Sequence, residues 1–267
     1  MFESLNTITT ISLADIPLFL ICAAVYFVYR AVLSRFILPQ FTKILPVSKD
    51  KHNRFVPRLF DAIHYVFSGI IGVLADLQRP YAHCFIFARD CFKFLQQNPN
   101  GFECTIFEKI YYILFTSYYI VDIFYVNTAS EPIIIITHHI VCLSMIFSCI
   151  VLTSPVVGLS IMLLHDAVDI PLYVAKIFLY CNKHLPKDIL FVVFALACTW
   201  FRIINFPIII KHCLTVACGT PTYPLLYRGT CVLLCIMYAL HIKWEYQIIR
   251  VAIGPLTGKA VHDSRSD

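Results

Sequence analysis

Charge is what this sequence has least of. Charged residues make up 14% of its 267 positions and hydrophobic residues 59%, where an ordinary soluble domain carries roughly 25% charge. The mean hydropathy is +0.77. This composition excludes a soluble globular domain and predicts an all-α polytopic membrane protein, since helices satisfy their own backbone groups where no water is at hand.

Other signals are missing too. Twelve cysteines occur, but none forms C-x-x-C or a Cys/His metal spacing, so no zinc module is encoded. Cys22, Cys142, Cys149, Cys198, Cys231 and Cys235 fall inside apolar runs, where a thiol packs as a small apolar residue. No basic stripe alternates with aromatics, which excludes nucleic acid as a partner. There is no Asn-x-Ser/Thr acceptor. Glu3 is the one charge before Asp15, so no basic segment precedes the first apolar run, which is expected to stay as an anchor.

What is present is a series of long hydrophobic runs. Windows of about 20 residues predict seven membrane spans, at 11–33, 59–77, 107–126, 132–152, 156–180, 189–211 and 223–252. The second contains Asp61, His64 and two glycines and is the weakest of them. Basic residues cluster after span one (Arg35, Lys43, Lys49, Lys51, Arg54, Arg58), after span five (Lys183, Lys187) and in the tail (Lys259, Arg265). Seven spans put all three clusters on one side, expected to be the cytosol, with the N-terminus in the lumen. The first cluster also faces anionic headgroups. Arg79, Arg89 and Lys93 in the link 78–106 run against this pattern. On the luminal side, Cys84, Cys91 and Cys104, or Cys213 and Cys218, are placed to pair.

Two of the spans carry groups that lipid does not tolerate. His138 and His139 open the fourth, and His165, Asp166 and Asp169 lie inside the fifth. An unpaired polar group in hydrocarbon costs several kcal/mol, so these side chains turn towards a protein-lined interior. On a helix His165, Asp169, Leu172 and Lys176 share one stripe, with Asp166 about 100° away. Arg202, midway along span six, is the natural counter-charge for Asp166 or Asp169. A buried network that only fixes helix register is the bland alternative, but so many groups able to move protons near neutrality make a costly register device.

A metal is a second alternative, since two histidines and a carboxylate suit an iron oxygenase. Membrane desaturases and hydroxylases use H-x-x-H-H boxes, however, and none occurs here. No metal and no resident cofactor are expected.

The stretch 138–176 is similar to the Lag1 motif of the ceramide synthases: HH, then Gly, then H-D-x-x-D-x-x-L-E-x-x-K. The matching residues are His138, His139, Gly158, His165, Asp166, Asp169, Leu172 and Lys176. FRIINFP at 201–207 resembles the family's Arg followed five residues later by Pro, and the tail DSRSD resembles the family's D-x-R-S-D. Three features depart from the pattern. Tyr173 replaces the usual Glu, NTASE replaces a basic segment before the HH span, and neither a homeobox-like insertion nor a long acidic tail is present.

The resemblance implies a TLC fold, with six helices in a barrel around an intramembrane cavity and one helix before them. Residues 1–57 would be a luminal terminus, anchor and basic segment, 58–252 the TLC domain and 253–267 a short cytosolic tail. It also implies transfer of a fatty acyl group from acyl-CoA to a sphingoid base in the endoplasmic reticulum membrane, with a homo- or hetero-oligomer left open. The amine must lose a proton before it attacks a thioester, which calls for a base that titrates near 7. His138 or His139 would deprotonate the amine directly, or one imidazole would carry the acyl group. Asp166 or Asp169 would orient a histidine, as the acid of a hydrolase triad does, with Asp122 a candidate for the same work. From a start at Pro132, His138 lies about 9 Å into the span, a depth that suits a cavity open to the cytosol. Arg54, Arg58 and Lys183 are the cations available for the CoA head, and Lys176 and Arg202 the supporting residues. A non-enzymatic TLC protein, a lipid sensor or carrier, is the alternative function.

Overall fold

The computed structural model describes residues 8–88, 102–128, 131–217 and 224–254. Arg89, Cys91, Lys93, Cys218, Lys259 and the tail motif lie outside them. The described chain is almost entirely helical. Helix α1 (Ile16–Val32) runs through a π-helical turn (Leu33–Ile37) into α2 (Leu38–Ile44), so the first apolar run is longer than the 11–33 expected. There follow α3 (His52–Leu77), α4 (Ile106–Asp122), α5 (Pro132–Val151), α6 (Pro155–Tyr180), α7 (His184–Ala197), α8 (Phe206–Ala217) and α9 (Pro224–Ile253). One short ribbon was not foreseen. Strand β1 (Ile8–Thr10) pairs antiparallel with β2 (Glu103–Thr105), Thr9 opposite Cys104.

Six helical stretches are long and apolar enough to cross a membrane, and the protein is a multi-pass membrane protein. The expected third span is the exception. α4 has 17 residues, about 26 Å of rise against roughly 30 Å of hydrocarbon. It still runs the height of the bundle, because Thr105 and Glu108 cap its start beside β1 while Asp122 at its end reaches α1 and α5. A short helix can do this when protein, rather than lipid, surrounds it. Tyr111, Tyr112, Phe115, Tyr118 and Tyr119 of α4 are all fully buried.

Burial follows helical stripes. In α1 only Phe19, Ala23, Tyr26 and Arg30 are buried, one face at spacings of four, three and four. Most other large side chains of α1 are exposed, as a lipid-facing surface requires. α6 is the central helix, buried along most of its length. Close approach to it depends on missing side chains. A Cβ on Gly158 would run into the hydroxyl and ring of Tyr112, and one on Gly72 would lie 2.7 Å from Leu163 Cδ2.

Prolines and a second π-helical segment shape the centre. Pro171 lies inside α6, where it removes one ladder hydrogen bond. Residues Cys198–Asn205 join α7 to α8 as a π-helix just before Pro207, and they carry Arg202 and Asn205. Asn205 holds the 81–88 segment in the bundle, accepting from Ala88 N at 2.9 Å and donating to Phe85 O.

Three of the thiols expected to pair fall within the described residues. Cys84 is disulfide-bonded, whereas Cys104 and Cys213 are free. Burial pushes the Cys104 thiol up to about 12, with Glu108 adding to the effect, so it is an inert packing group.

Candidate active site

At the end of the bundle where α2 meets α3 and α6 meets α7, a cavity opens among α1, α3, α4, α5, α6 and α9. His138, His139, Asp122, Asp169, Lys176 and Arg202 line it, together with Arg30, Arg58, Tyr173 and Trp244. The basic segment Lys49–Arg58 and Lys183 belong to this same end, as Lys51 bonded to Asn182 shows.

The centre of the site is an imidazole–carboxylate pair. His139 Nε2 lies 2.8 Å from Asp122 Oδ2. If Nε2–H donates there, Nδ1 keeps its lone pair, and this buried atom has no other partner. Asp122 accepts in turn from Arg30 Nη1 at 2.6 Å. Arg30 is 3% exposed. Its guanidinium also lies 3.5 Å from Asp61 and over the rings of Tyr125 and Phe60 at 4.1 and 4.8 Å. Asp61 takes further bonds from Arg58 at 3.1 Å and Tyr118 at 3.2 Å. Two arginines thus face two carboxylates, which offsets the desolvation of all four.

His138 belongs to a second group. Its Nδ1 is 3.1 Å from Met237 Sδ and its Nε2 3.7 Å from Cys142 Sγ, with the Trp244 ring edge-on at 5.0 Å. Behind it, His165 donates Nδ1–H to Ile161 O at 2.7 Å, which leaves Nε2 to accept from His241 Nε2 at 3.2 Å. The donor atoms of His138, Cys142 and His165 lie within 4.8 Å of one another, the one three-residue set among the described residues able to hold a metal ion. Such a set is of soft His/Cys type. It differs from the histidines and aspartates weighed on the sequence, because Asp166 and Asp169 both point elsewhere.

Those two aspartates part company, as a 100° step on a helix requires. Asp169 faces the cavity and is paired with Arg202 at 2.8 Å, which settles the choice of counter-charge. Asp166 is turned away, accepting from Ser68 at 2.7 Å and Tyr111 at 2.8 Å. The carboxylate against His139 is that of Asp122, the third of the acids considered for that place. Of the five residues expected at the reacting centre, His138, His139 and Asp169 line the cavity, and His165 and Asp166 stand behind its wall. Tyr173, in the place of the motif's Glu, stacks on Tyr65 at 5.0 Å between the cations of Arg58 and Lys176.

Sequence reasoning missed Arg30, Asp61 as an active-site group, Cys142 and His241. Arg30 and His241 each gave a signal, being charged or polar residues deep in an apolar run.

The TRAM_LAG1_CLN8 model, described as the TLC domain, matches residues 54–250. The chain belongs to the TLC-domain family. Among relatives of this TLC protein, the Arabidopsis thaliana ceramide synthase LOH2 is 26% identical over 196 residues, covering 67% of this chain and 64% of its own. The Arabidopsis thaliana ceramide synthase LOH1 is 31% identical over 147 residues, 49% of this chain and 45% of its own. Homo sapiens ceramide synthase 1 is 27% identical over 167 residues, 57% and 47% respectively. The chain therefore spans about half to just under two thirds of the length of these curated relatives.

Proposed function

We propose that this TLC-domain protein is an acyl-CoA-dependent N-acyltransferase that joins a fatty acyl group to the amine of a sphingoid base, giving ceramide and free CoA. The observation that carries the reading is the His139–Asp122 pair, an oriented base with a free lone pair at the wall of an intramembrane cavity. The named ceramide synthases with which most of the chain aligns support the same reaction.

The chemistry follows from the groups in place. The ammonium of the sphingoid base first releases a proton to water. The neutral nitrogen then attacks the thioester carbon, and its second proton passes to His139 Nδ1, whose cation is stabilised by Asp122. The C–N bond forms, the C–S bond breaks, and the proton returns from His139 to the departing sulfur. In the other order of events, His138 takes the acyl group first through Nε2, CoA leaves as the thiol, and the amine captures the acyl-imidazole. Lys176 and Arg58, at the cavity wall, supply positive charge for the CoA phosphates. No cofactor beyond acyl-CoA as substrate enters this scheme. The setting is the endoplasmic reticulum membrane, with the basic end in the cytosol.

The test is direct. Purified protein is given a sphingoid base and a panel of acyl-CoAs, and lipid products are read by mass spectrometry. Ceramide formed by the wild type and lost in His139→Gln is the expected result, and its absence with every acyl-CoA would leave the lipid-sensor alternative.

A further inference from the structure

The family match begins at residue 54, yet the site does not. α1, which precedes the matched domain, is fastened to α4 at both of its ends. At one end β1 pairs with β2, and Lys109 binds Asp15 at 2.8 Å and the Thr10 carbonyl at 2.9 Å. At the other end Arg30 binds Asp122. Between them the buried stripe Phe19, Ala23 and Tyr26 faces the bundle, with Tyr26 bonded to His64 at 2.9 Å. A helix that served only as an anchor needs no arginine in that stripe. Burying a guanidinium there is costly unless its charge is used.

The charge is directed at one place. Asp122 has two oxygens. Oδ1 takes Arg30 Nη1 and Oδ2 takes His139 Nε2. The fork of Arg30 spans Asp122 and Asp61, while stacking on Tyr125 and Phe60 fixes its plane. Rotation of the Asp122 carboxylate would break the Arg30 bond and the His139 bond together. We propose that Arg30 is the positioning residue that locks Asp122 against His139, so that α1 is a working part of the active site. This rests on the reading of His139 as the base.

Four full-length variants test it: Arg30→Gln, Arg30→Lys, Asp122→Asn and the Arg30→Gln/Asp122→Asn double. Each is checked for folding by expression and thermal unfolding, and kcat and KM are measured for both substrates. Arg30→Gln should lower kcat by about tenfold or more, the scale of a misplaced base, with KM for both substrates little changed. Arg30→Lys keeps the charge without the fork and should recover part of that loss. The double variant should be no worse than Asp122→Asn alone, because Arg30 acts through Asp122. A wild-type kcat in Arg30→Gln, or losses that multiply in the double, would overturn the inference. If Arg30→Gln does not fold, Arg30→Lys replaces it, single and paired with Asp122→Asn, under the same criterion.

A wild type that makes no ceramide would defeat the proposed function and leave Arg30 to a second arm. There the labelling of His139 by diethyl pyrocarbonate is followed by peptide mass spectrometry. Loss of His139 reactivity in the Arg30 variant, with His52 as internal reference, upholds the lock, and equal reactivity overturns it.

Discussion

Residues that look alike in the motif differ in what they touch, and their substitutions should separate accordingly. His139→Gln, His138→Gln and Asp122→Asn change cavity-lining groups. Protein levels should stay near normal while the rate falls about 10²-fold or more, the size usual for loss of a general base. Asp166→Asn is different. Asp166 is buried and accepts from Ser68 and Tyr111, so a neutral amide there weakens two charge-assisted bonds, an effect of about 1–3 kcal/mol on stability. Its expected signature is loss of folded protein in parallel with activity, read by comparing thermal unfolding with specific rate. A pure rate effect in Asp166→Asn would return it to the reacting group. The motif's spacing revealed that His138, His139 and Asp169 share an interior. The partner of His139 was harder to read, since Asp122 lies 17 residues upstream and Arg30 a further 92, separations that no local period reports. Chelation is the other check at this scale. His138, Cys142 and His165 could converge on an ion, but each imidazole already has hydrogen-bonding partners, and the proposed reaction routes no step through a metal. Activity should survive a strong chelator, and stoichiometric zinc, copper or iron lost together with activity would overturn that.

Helices here owe their positions to small residues and backbone irregularities more than to propensity. Gly158 is a motif position whose function is steric. A Cβ there meets the Tyr112 hydroxyl, and Tyr112 is fully buried and bonded to the Pro155 carbonyl at 3.3 Å. Gly158→Ala should cost about 1–3 kcal/mol through overpacking, measurable as a lower midpoint of thermal unfolding in detergent. Pairing it with Tyr112→Phe, which removes the clashing oxygen, should recover part of the loss, and an unchanged midpoint in Gly158→Ala would refute the steric account. Span positions were legible because lipid selects apolar runs about 20 residues long. The π-helical turn at Cys198–Asn205 was not, because a continuous apolar run reads as one straight helix. The structure instead inserts an extra residue before Pro207, which sets Arg202 on Asp169 and Asn205 on the 81–88 segment. α4 was read as an ordinary span for the same reason, although Glu108, Lys109 and its four tyrosines set it apart from a lipid-facing helix.

Taken as a whole, the molecule has two ends of different character. Ionised contacts tie the helices at both, Lys109 to Asp15 and Arg79 to Glu108 at one, Arg30 to Asp122 and Lys243 to Glu131 at the other. The cavity belongs to the second end, with the basic segment after α2 and the α6–α7 link. A substrate as polar as CoA reaches a buried thioester site only from water, so the cavity end and the cytosolic end must coincide if the proposed function is right. α1 and α4 run parallel, with β1 and β2 at their starts, and the chain alternates between the two ends. This places residues 78–88 and β2 opposite the α6–α7 link. The sequence has no Asn-x-Ser/Thr acceptor of its own, which makes glycosylation a clean reporter of side. An acceptor tripeptide inserted between residues 94 and 95 should be modified in microsomes, giving an endoglycosidase-sensitive mass shift. The same tripeptide inserted after Asn182 should stay unmodified. Modification after Asn182 alone would turn the molecule over and put the cavity in the lumen, out of reach of cytosolic acyl-CoA, and modification at both sites would break the alternation of helices on which the whole arrangement rests.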